Sequence, residues 1–236
     1  MRQPAAIRYW LVLPAAGGGS RFGGSLPKQY APLAGSTVIE HALAPFQDDG
    51  RCKGIAVVLS PGDQWFAKLP VAKSAGLRMV GGGEERSDSV RMGLASLPTA
   101  DPDWVLVHDA ARPCVSRDEV DALLAGAMND PVGGVLAVQV SDTLKVADED
   151  GRVGATAPRR AMWRALTPQM FRAGLLRDAL ARAAQGGQVP TDESQAVEWL
   201  GHFPRLVPGS ARNIKVTQAA DLALAEAVLK LQGAMQ

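Results

Sequence analysis

The residues best suited to chemistry lie in a glycine-rich stretch, Pro14-Ala-Ala-Gly-Gly-Gly-Ser-Arg21-Phe-Gly-Gly-Ser-Leu-Pro-Lys28. It follows the apolar run Trp10-Leu-Val-Leu13. A glycine loop at the carboxyl end of a parallel strand presents backbone N–H groups that cradle phosphate oxygens. The spacing is neither G-x-G-x-x-G running straight into a helix nor G-x-x-x-x-G-K-[ST]. Two cations, Arg21 and Lys28, are built into the loop instead. A glycine loop alone often marks only a tight turn; one carrying two cations points to phosphate chemistry. Joining a phosphate monoester to a triphosphate brings anions together, and two unit charges ~4 Å apart repel by ~4 kcal/mol at an effective dielectric of ~20. Cations beside the reacting phosphorus remove that barrier and stabilise the charge in transit. The monoester oxygen is already charged at neutral pH, so the nucleophile needs no general base. A sequence without an evident His or Cys nucleophile fits this chemistry.

Two further loops have similar character. Gly81-Gly-Gly-Glu-Glu-Arg-Ser-Asp-Ser89 follows an apolar run and leads into a helical pattern. It suits base recognition through backbone groups, with a hydroxyl from Ser87 or Ser89; Ser87 or Asp88 equally suits a plain helix N-cap. His108-Asp109-Ala-Ala-Arg112-Pro113 follows another apolar run. Asp109 suits a metal or a sugar hydroxyl and Arg112 a phosphate, or the two form an ion pair that stiffens the turn. His108, His41 and His202 read as structural or exposed.

The elements that must position these loops follow from the apolar pattern. Strands are expected at Tyr9–Leu13, Gly54–Leu59, Leu77–Val80, Trp104–His108 and Gly134–Val140, mostly as continuous apolar runs covered on both faces. Helices are expected at Thr37–Phe46, Asp88–Leu97 and Arg117–Met128 between them, and at Leu175–Ala184, Asp192–Trp199 and Ala219–Leu231 later, with a short strand at Arg205–Val207. Thr191 or Asp192 caps the Asp192–Trp199 helix. The alternation implies an α/β fold with a mostly parallel sheet flanked by helices, in which ligands sit at strand carboxyl ends. The polar segment Ser141–Pro158 holds the turn signal Asp150-Gly151 between two short β-compatible pieces and reads as a projecting hairpin. A lone hairpin is barely stable in water, so a second subunit is its expected partner.

Bulk composition narrows the classes. The 236 residues carry 25 basic and 24 acidic side chains, a net charge of +1. That balance gives no basic stripe, which argues against a nucleic-acid partner. No apolar stretch is long enough to span a membrane, and the first apolar run is too short for a signal peptide. Cys52 and Cys114 lack metal-ligand spacing, so reduced thiols and a cytoplasmic location are expected.

The three loops together resemble those of sugar-phosphate nucleotidyltransferases. Gly82-Gly-Glu-Glu-Arg-Ser-Asp-Ser-Val90, Val107-His-Asp-Ala-Ala-Arg-Pro113, Leu166-Thr-Pro-Gln169, Thr191-Asp-Glu193 and Asn213-Ile-Lys-Val-Thr217 narrow the resemblance to the 2-C-methyl-D-erythritol 4-phosphate cytidylyltransferases of the non-mevalonate isoprenoid pathway. It runs in order from about Leu13 to Leu224. It implies one Rossmann-like nucleotidyltransferase domain over residues 1–236, with a dimerisation arm at about 141–158. It implies in-line attack of the substrate phosphate on the α-phosphorus of CTP, giving a CDP-linked alcohol and pyrophosphate, with Mg2+ held mainly through the CTP phosphates and no protein metal ligand. By motif position, Arg21 and Lys28 are catalytic. Ala15, Ala16, Gly17, Gly83 and Ser89 form the nucleotide pocket. Asp109, Arg112, Thr167 and Lys215 line the polyol phosphate site. Thr143 and Arg159, on the arm, reach the neighbour's site across a homodimer. Pro158 replaces the family's usual acidic residue and Arg160 follows at once, so either arginine suits the phosphate contact, with register favouring Arg159.

Three rivals fit part of the pattern. A ribitol-5-phosphate cytidylyltransferase shares the nucleotide loops. A non-catalytic nucleotide-binding regulator has no need for Arg21 and Lys28 together. A dinucleotide-dependent oxidoreductase requires a different glycine spacing and an acidic residue ending the second strand.

Overall fold

The computed structural model describes residues 7–17, 22 and 26–234. In chain order its strands are β1 (Tyr9–Ala15), β2 (Pro32–Leu33), β3 (Ser36–Thr37), β4 (Cys52–Leu59), β5 (Leu77–Gly81), β6 (Trp104–Val107), β7 (Gly133–Gln139), β8 (Lys145–Ala147), β9 (Val153–Thr156), β10 (Trp163–Arg172) and β11 (Arg205–Pro208). Its helices are α1 (Val38–Gln47), α2 (Arg86–Ser96), α3 (Arg117–Ala127), α4 (Ala173–Gln185), α5 (Glu193–Trp199) and α6 (Asp221–Gly233).

Seven strands form the main sheet in the order β11-β7-β10-β6-β1-β4-β5. β1 pairs in parallel with β4 on one side and β6 on the other. The chain therefore leaves β1 toward β4 and β5, then crosses back to add β6. This reversal opens a crevice at the carboxyl ends of the central strands, where ligands of open α/β sheets bind. Among these seven strands β10 runs against its neighbours, paired antiparallel with both β6 and β7.

Side-chain alternation along β1 divides the core. Tyr9, Leu11 and Leu13 face one cluster with Ile39, Leu43 and Phe46 of α1 and Val120, Leu123 and Leu124 of α3. Trp10 and Val12 face the other, with Val90 and Leu94 of α2, Leu176 and Leu180 of α4 and Val197 of α5. Sheet strands buried on both faces account for their continuous apolar runs. Capping boxes start two helices on the first face: Thr37 with Glu40 for α1, and Ser116 with Glu119 for α3.

Three elements differ from the sequence expectation. α2 begins at Arg86, with Glu85 as its N-cap and no side-chain cap bond, so Ser87 and Asp88 lie inside the first turn and are not the cap. The small β2–β3 ribbon has no counterpart among the expected strands. Neither has β10, because Arg164, Pro168 and Gln169 break its apolar character; its pairing with β7 shifts register between Ala165 and Gln169, around the proline that cannot donate. The projecting hairpin is present as β8 paired with β9, and its turn is tied by Asp148, whose Oδ1 accepts from the N–H groups of Asp150 and Arg152.

α2 lies unusually close to the sheet at Gly93. A Cβ there would stand 2.7 Å from both Val12 Cγ1 and Val58 Cγ2. Gly93→Ala gains helix propensity of up to ~1 kcal/mol but overpacks two stiff valines, at a cost of ~1–3 kcal/mol. The expected net effect, read by denaturant unfolding, is destabilisation; an alanine variant as stable as the parent would show that α2 can shift away freely.

Candidate functional site

A cavity of about 150 Å³ opens at the crevice, lined by Pro14–Gly17, Lys28, Gln29, Gly83–Arg86, Ser89, Asp109–Ala111 and Lys215. The loops after β1, β5 and β6 thus meet as the strand order requires. Ala15, Ala16, Gly17, Gly83, Ser89, Lys28, Asp109 and Lys215 all line it. Arg21 lies outside the described residues. Lys28 is brought back to β1 by its neighbour: the buried Gln29 donates from Nε2 to the carbonyl of Ala15 at 2.8 Å. The first two loops approach closely. A Cβ on Gly82 would fall 2.7 Å from Ala16 Cβ and 2.8 Å from Ser89 Oγ, so only glycine permits this spacing.

Beside the cavity lies an ionic cluster around the buried Asp109. Asp109 Oδ2 is 2.8 Å from Lys215 Nζ and 3.6 Å from Arg112 Nε, and Oδ1 is 2.9 Å from Arg86 Nη2. Burial raises the pKa of the Asp109 carboxyl, but Arg86, Lys215 and Arg112 overcome that and hold it well below the usual carboxylate range. Arg86 also pairs with Glu193, Nη1 to Oε1 at 2.6 Å and Nη2 to Oε2 at 3.1 Å. Three cations against two carboxylates leave one net positive charge beside the cavity.

Backbone and amide bonds stitch the contributing segments together. Arg112 Nη1 donates to the Asn213 carbonyl at 2.8 Å, and Val216 N–H to the Ala111 carbonyl at 2.8 Å. Asn213 Nδ2 donates to the Thr167 carbonyl at 2.9 Å. Glu119, through Oε1, accepts from Ser210 N–H. The loop carrying Lys215 is thereby fixed against β10, α3 and the loop after β6.

Thr167 serves this frame through its side chain. Asp109 N–H donates to Thr167 Oγ1 at 3.0 Å, and the hydroxyl lies 3.0 Å from His108 Nδ1. His108 Nε2 lies 3.2 Å from the Arg112 carbonyl, which can only accept. The tautomer follows: Nε2 carries the proton and Nδ1 accepts from Thr167. Burial drives the His108 ring down to about 4, keeping it neutral.

The remaining sequence candidates do not line this cavity. Arg112 and Lys215 line a second cavity of about 350 Å³, with Arg164 and Asn213. Arg112 Nε and Asn213 Oδ1 are buried and make no hydrogen bond among the described residues. Thr143, Arg159 and Arg160 are exposed and line neither cavity; Arg159 Nη1 donates to the Ser141 carbonyl. The sequence pattern assigns no role to Arg86, Glu193, Gln169 or Asn213, although each lies within a quoted motif. Among the described residues no three His, Cys, Asp or Glu side chains stand together as a metal site.

This geometry has close relatives. Residues 9–231 match the family model described as 2-C-methyl-D-erythritol 4-phosphate cytidylyltransferase. The chain belongs to that family. A Pseudomonas savastanoi pv. phaseolicola protein of that name is 50% identical over 217 residues, covering 91% of this chain and 92% of the relative. Among solved structures, the Francisella tularensis 2-C-methyl-D-erythritol 4-phosphate cytidylyltransferase is 33% identical with a TM-score of 0.82, over 94% of this chain and 99% of that one. The Thermus thermophilus enzyme of the same name is 35% identical with a TM-score of 0.79, over 95% and 100% of the two chains. The family relationship fits a cavity built from glycine loops, a lysine and an Asp–Lys–Arg cluster.

The neutral His108 gives a pH prediction. Unfolded, the ring takes up its proton near 6.5; folded, only near 4. The stability it contributes is complete above pH 6.5 and is lost as the pH falls through 4, an effect on the order of 3 kcal/mol. In denaturant titrations from pH 7 to pH 4, wild type should lose stability relative to His108→Gln by this amount. A difference independent of pH would mean the buried ring titrates normally.

Proposed function

We propose that the protein joins CTP to 2-C-methyl-D-erythritol 4-phosphate, giving 4-diphosphocytidyl-2-C-methyl-D-erythritol and pyrophosphate, as a nucleotidyltransferase of the non-mevalonate isoprenoid pathway. The observation that carries this reading is the Asp109–Lys215–Arg112–Arg86 cluster at the edge of a glycine-loop cavity, in a chain of this family. The glycine loops suit the nucleotide: Ala15, Ala16 and Gly17 face its phosphates, and Gly83 and Ser89 its base and sugar. Lys28, with Arg21, neutralises the triphosphate and stabilises charge as the acceptor oxygen attacks the α-phosphorus. Asp109 accepts from acceptor hydroxyls while Lys215 and Arg112 hold the acceptor's charge, and the second cavity, reached past Lys215, gives the polyol phosphate room. Thr167 holds Asp109 and His108 in place beside that site.

Mg2+ fits this site as an ion carried mainly on the CTP phosphates, because Asp109, which lines the cavity, is already engaged by cations. Bound there, it supplies further charge neutralisation.

Thr143 and Arg159 complete the site from a second copy. Their exposure on the β8–β9 arm, together with exposed Val146 and Val153, supports an arm that exchanges in a homodimer. The intact protein is expected to have the mass of two chains in solution, and replacing 141–158 by a short turn is expected to give an inactive monomer. A monomeric parent with full activity would exclude the exchange. The enzyme works in the cytoplasm, a reading supported by two free cysteines, and no helix of the described residues is long and apolar enough to cross a membrane.

The deciding assay is pyrophosphate release with Mg2+ and CTP, comparing methylerythritol 4-phosphate with ribitol 5-phosphate. Release with the first alone is expected, and Lys28→Ala is expected to lower kcat by about 10²–10³-fold with the fold intact. Release only with ribitol phosphate would replace the acceptor, and a fully active Lys28→Ala would remove the lysine from the mechanism.

A further inference from the structure

Arg86 is shared between two carboxylates, of which Asp109 lines the cavity and Glu193 does not. Glu193 is 1% exposed. Its two oxygens meet Nη1 and Nη2 of Arg86 at 2.6 and 3.1 Å, the two-bond geometry that fixes a guanidinium plane as well as its position. The other edge of the guanidinium, Nε and Nη2, faces Asp109 Oδ1 at 3.0 and 2.9 Å. Both edges of one rigid group are therefore occupied, and the orientation of Asp109 follows from that of Glu193.

Glu193 is itself firmly held. It is the first residue of α5, whose N-cap Asp192 accepts from Gln195 N–H through Oδ1 at 2.9 Å and from Gln169 Nε2 through Oδ2 at 2.9 Å. Gln169 Oε1 accepts from Ser194 N–H at 3.0 Å. The side-chain amide of one β10 residue thus fixes the start of α5 on both sides of Glu193.

We infer that Glu193 is a positioning residue for the acceptor site: it clamps Arg86 so that Arg86 orients Asp109. The inference rests on the cytidylyltransferase reading above. Without Glu193 the cluster gains one net positive charge, and Arg86 loses the two bonds that fix its plane. Asp109 then loses the partner at Oδ1, while the β1 loop and Lys28 are untouched.

The test is steady-state pyrophosphate release by wild type and Glu193→Gln, which keeps the size but loses one acceptor of the pair. The expected result is a kcat about tenfold lower and a KM for methylerythritol phosphate about tenfold higher, with the KM for CTP unchanged within about twofold, the scale seen when a group supporting a functional residue is removed. Arg86→Lys, which keeps charge but not the fork, should show the same split and serves if Glu193→Gln does not fold. The double variant Arg86→Lys, Glu193→Gln should be no worse than either single one, because both remove one clamp. Unchanged constants, or equal rises in both KM values, would overturn the inference and leave Glu193 as a structural residue of α5. A wild type silent with CTP and either acceptor would instead overturn the functional reading, and this inference with it.

Discussion

A carboxylate buried at the carboxyl end of a central strand must be neutralised or it will take up a proton, and the arrangement of this protein around Asp109 answers that constraint. Coulombic attraction from Arg86, Lys215 and Arg112 outweighs desolvation and keeps the group ionised. The three cations come from α2, the 213–216 loop and the turn after β6. Charge alone does not hold such groups together in water, where exposed pairs contribute little. Here the supporting bonds are made to backbone, from Arg112 to Asn213 and from Val216 to Ala111, so the cations arrive already aimed.

The same constraint explains the polar character of β10. A strand between β6 and β7 would ordinarily be apolar on both faces, yet it carries Thr167 and Gln169, both buried. Each spends its polar atoms on a neighbour that needs fixing: Thr167 on Asp109 and His108, Gln169 on Asp192 and Ser194. Buried polar groups left unpaired are costly, so a fully bonded set specifies one arrangement where an apolar set would tolerate several. The antiparallel course of β10 delivers these residues to the same end of the sheet as the loops after β1, β5 and β6.

What was legible in the sequence was the part governed by local pattern. β1, β4, β6 and β7 are buried on both faces, and their continuous apolar runs show it; the glycine loops are visible because backbone exposure to a ligand needs glycine in sequence order. The loop after β6 itself pointed to Asp109, the resemblance supplied Thr167 and Lys215, and the structure brings the three together. The hidden part depends on contacts across long separations. Arg86 and Glu193 are 107 residues apart, and nothing near either residue announces the pairing. β10 was hidden for the opposite reason: its side chains are polar because their partners lie elsewhere, so its local pattern does not read as a strand. α2 also started earlier than expected, since Ser87 and Asp88 look like caps but no cap bond forms there.

The charge balance of the cluster also bears on what it can recognise. A pocket meant only to hold a phosphate anion gains nothing from a carboxylate 2.8 Å from its lysine, because the carboxylate cancels part of the attraction. Asp109 makes sense where the ligand carries both an anion and hydroxyl donors, the first matched by the lysine and arginines and the second by the carboxylate. A polyol phosphate has both. The distance between the carboxylate and the cations is in turn set by the rigid pairs around Arg86 and by the bonds that bind the Lys215 loop to β10 and to the turn after β6.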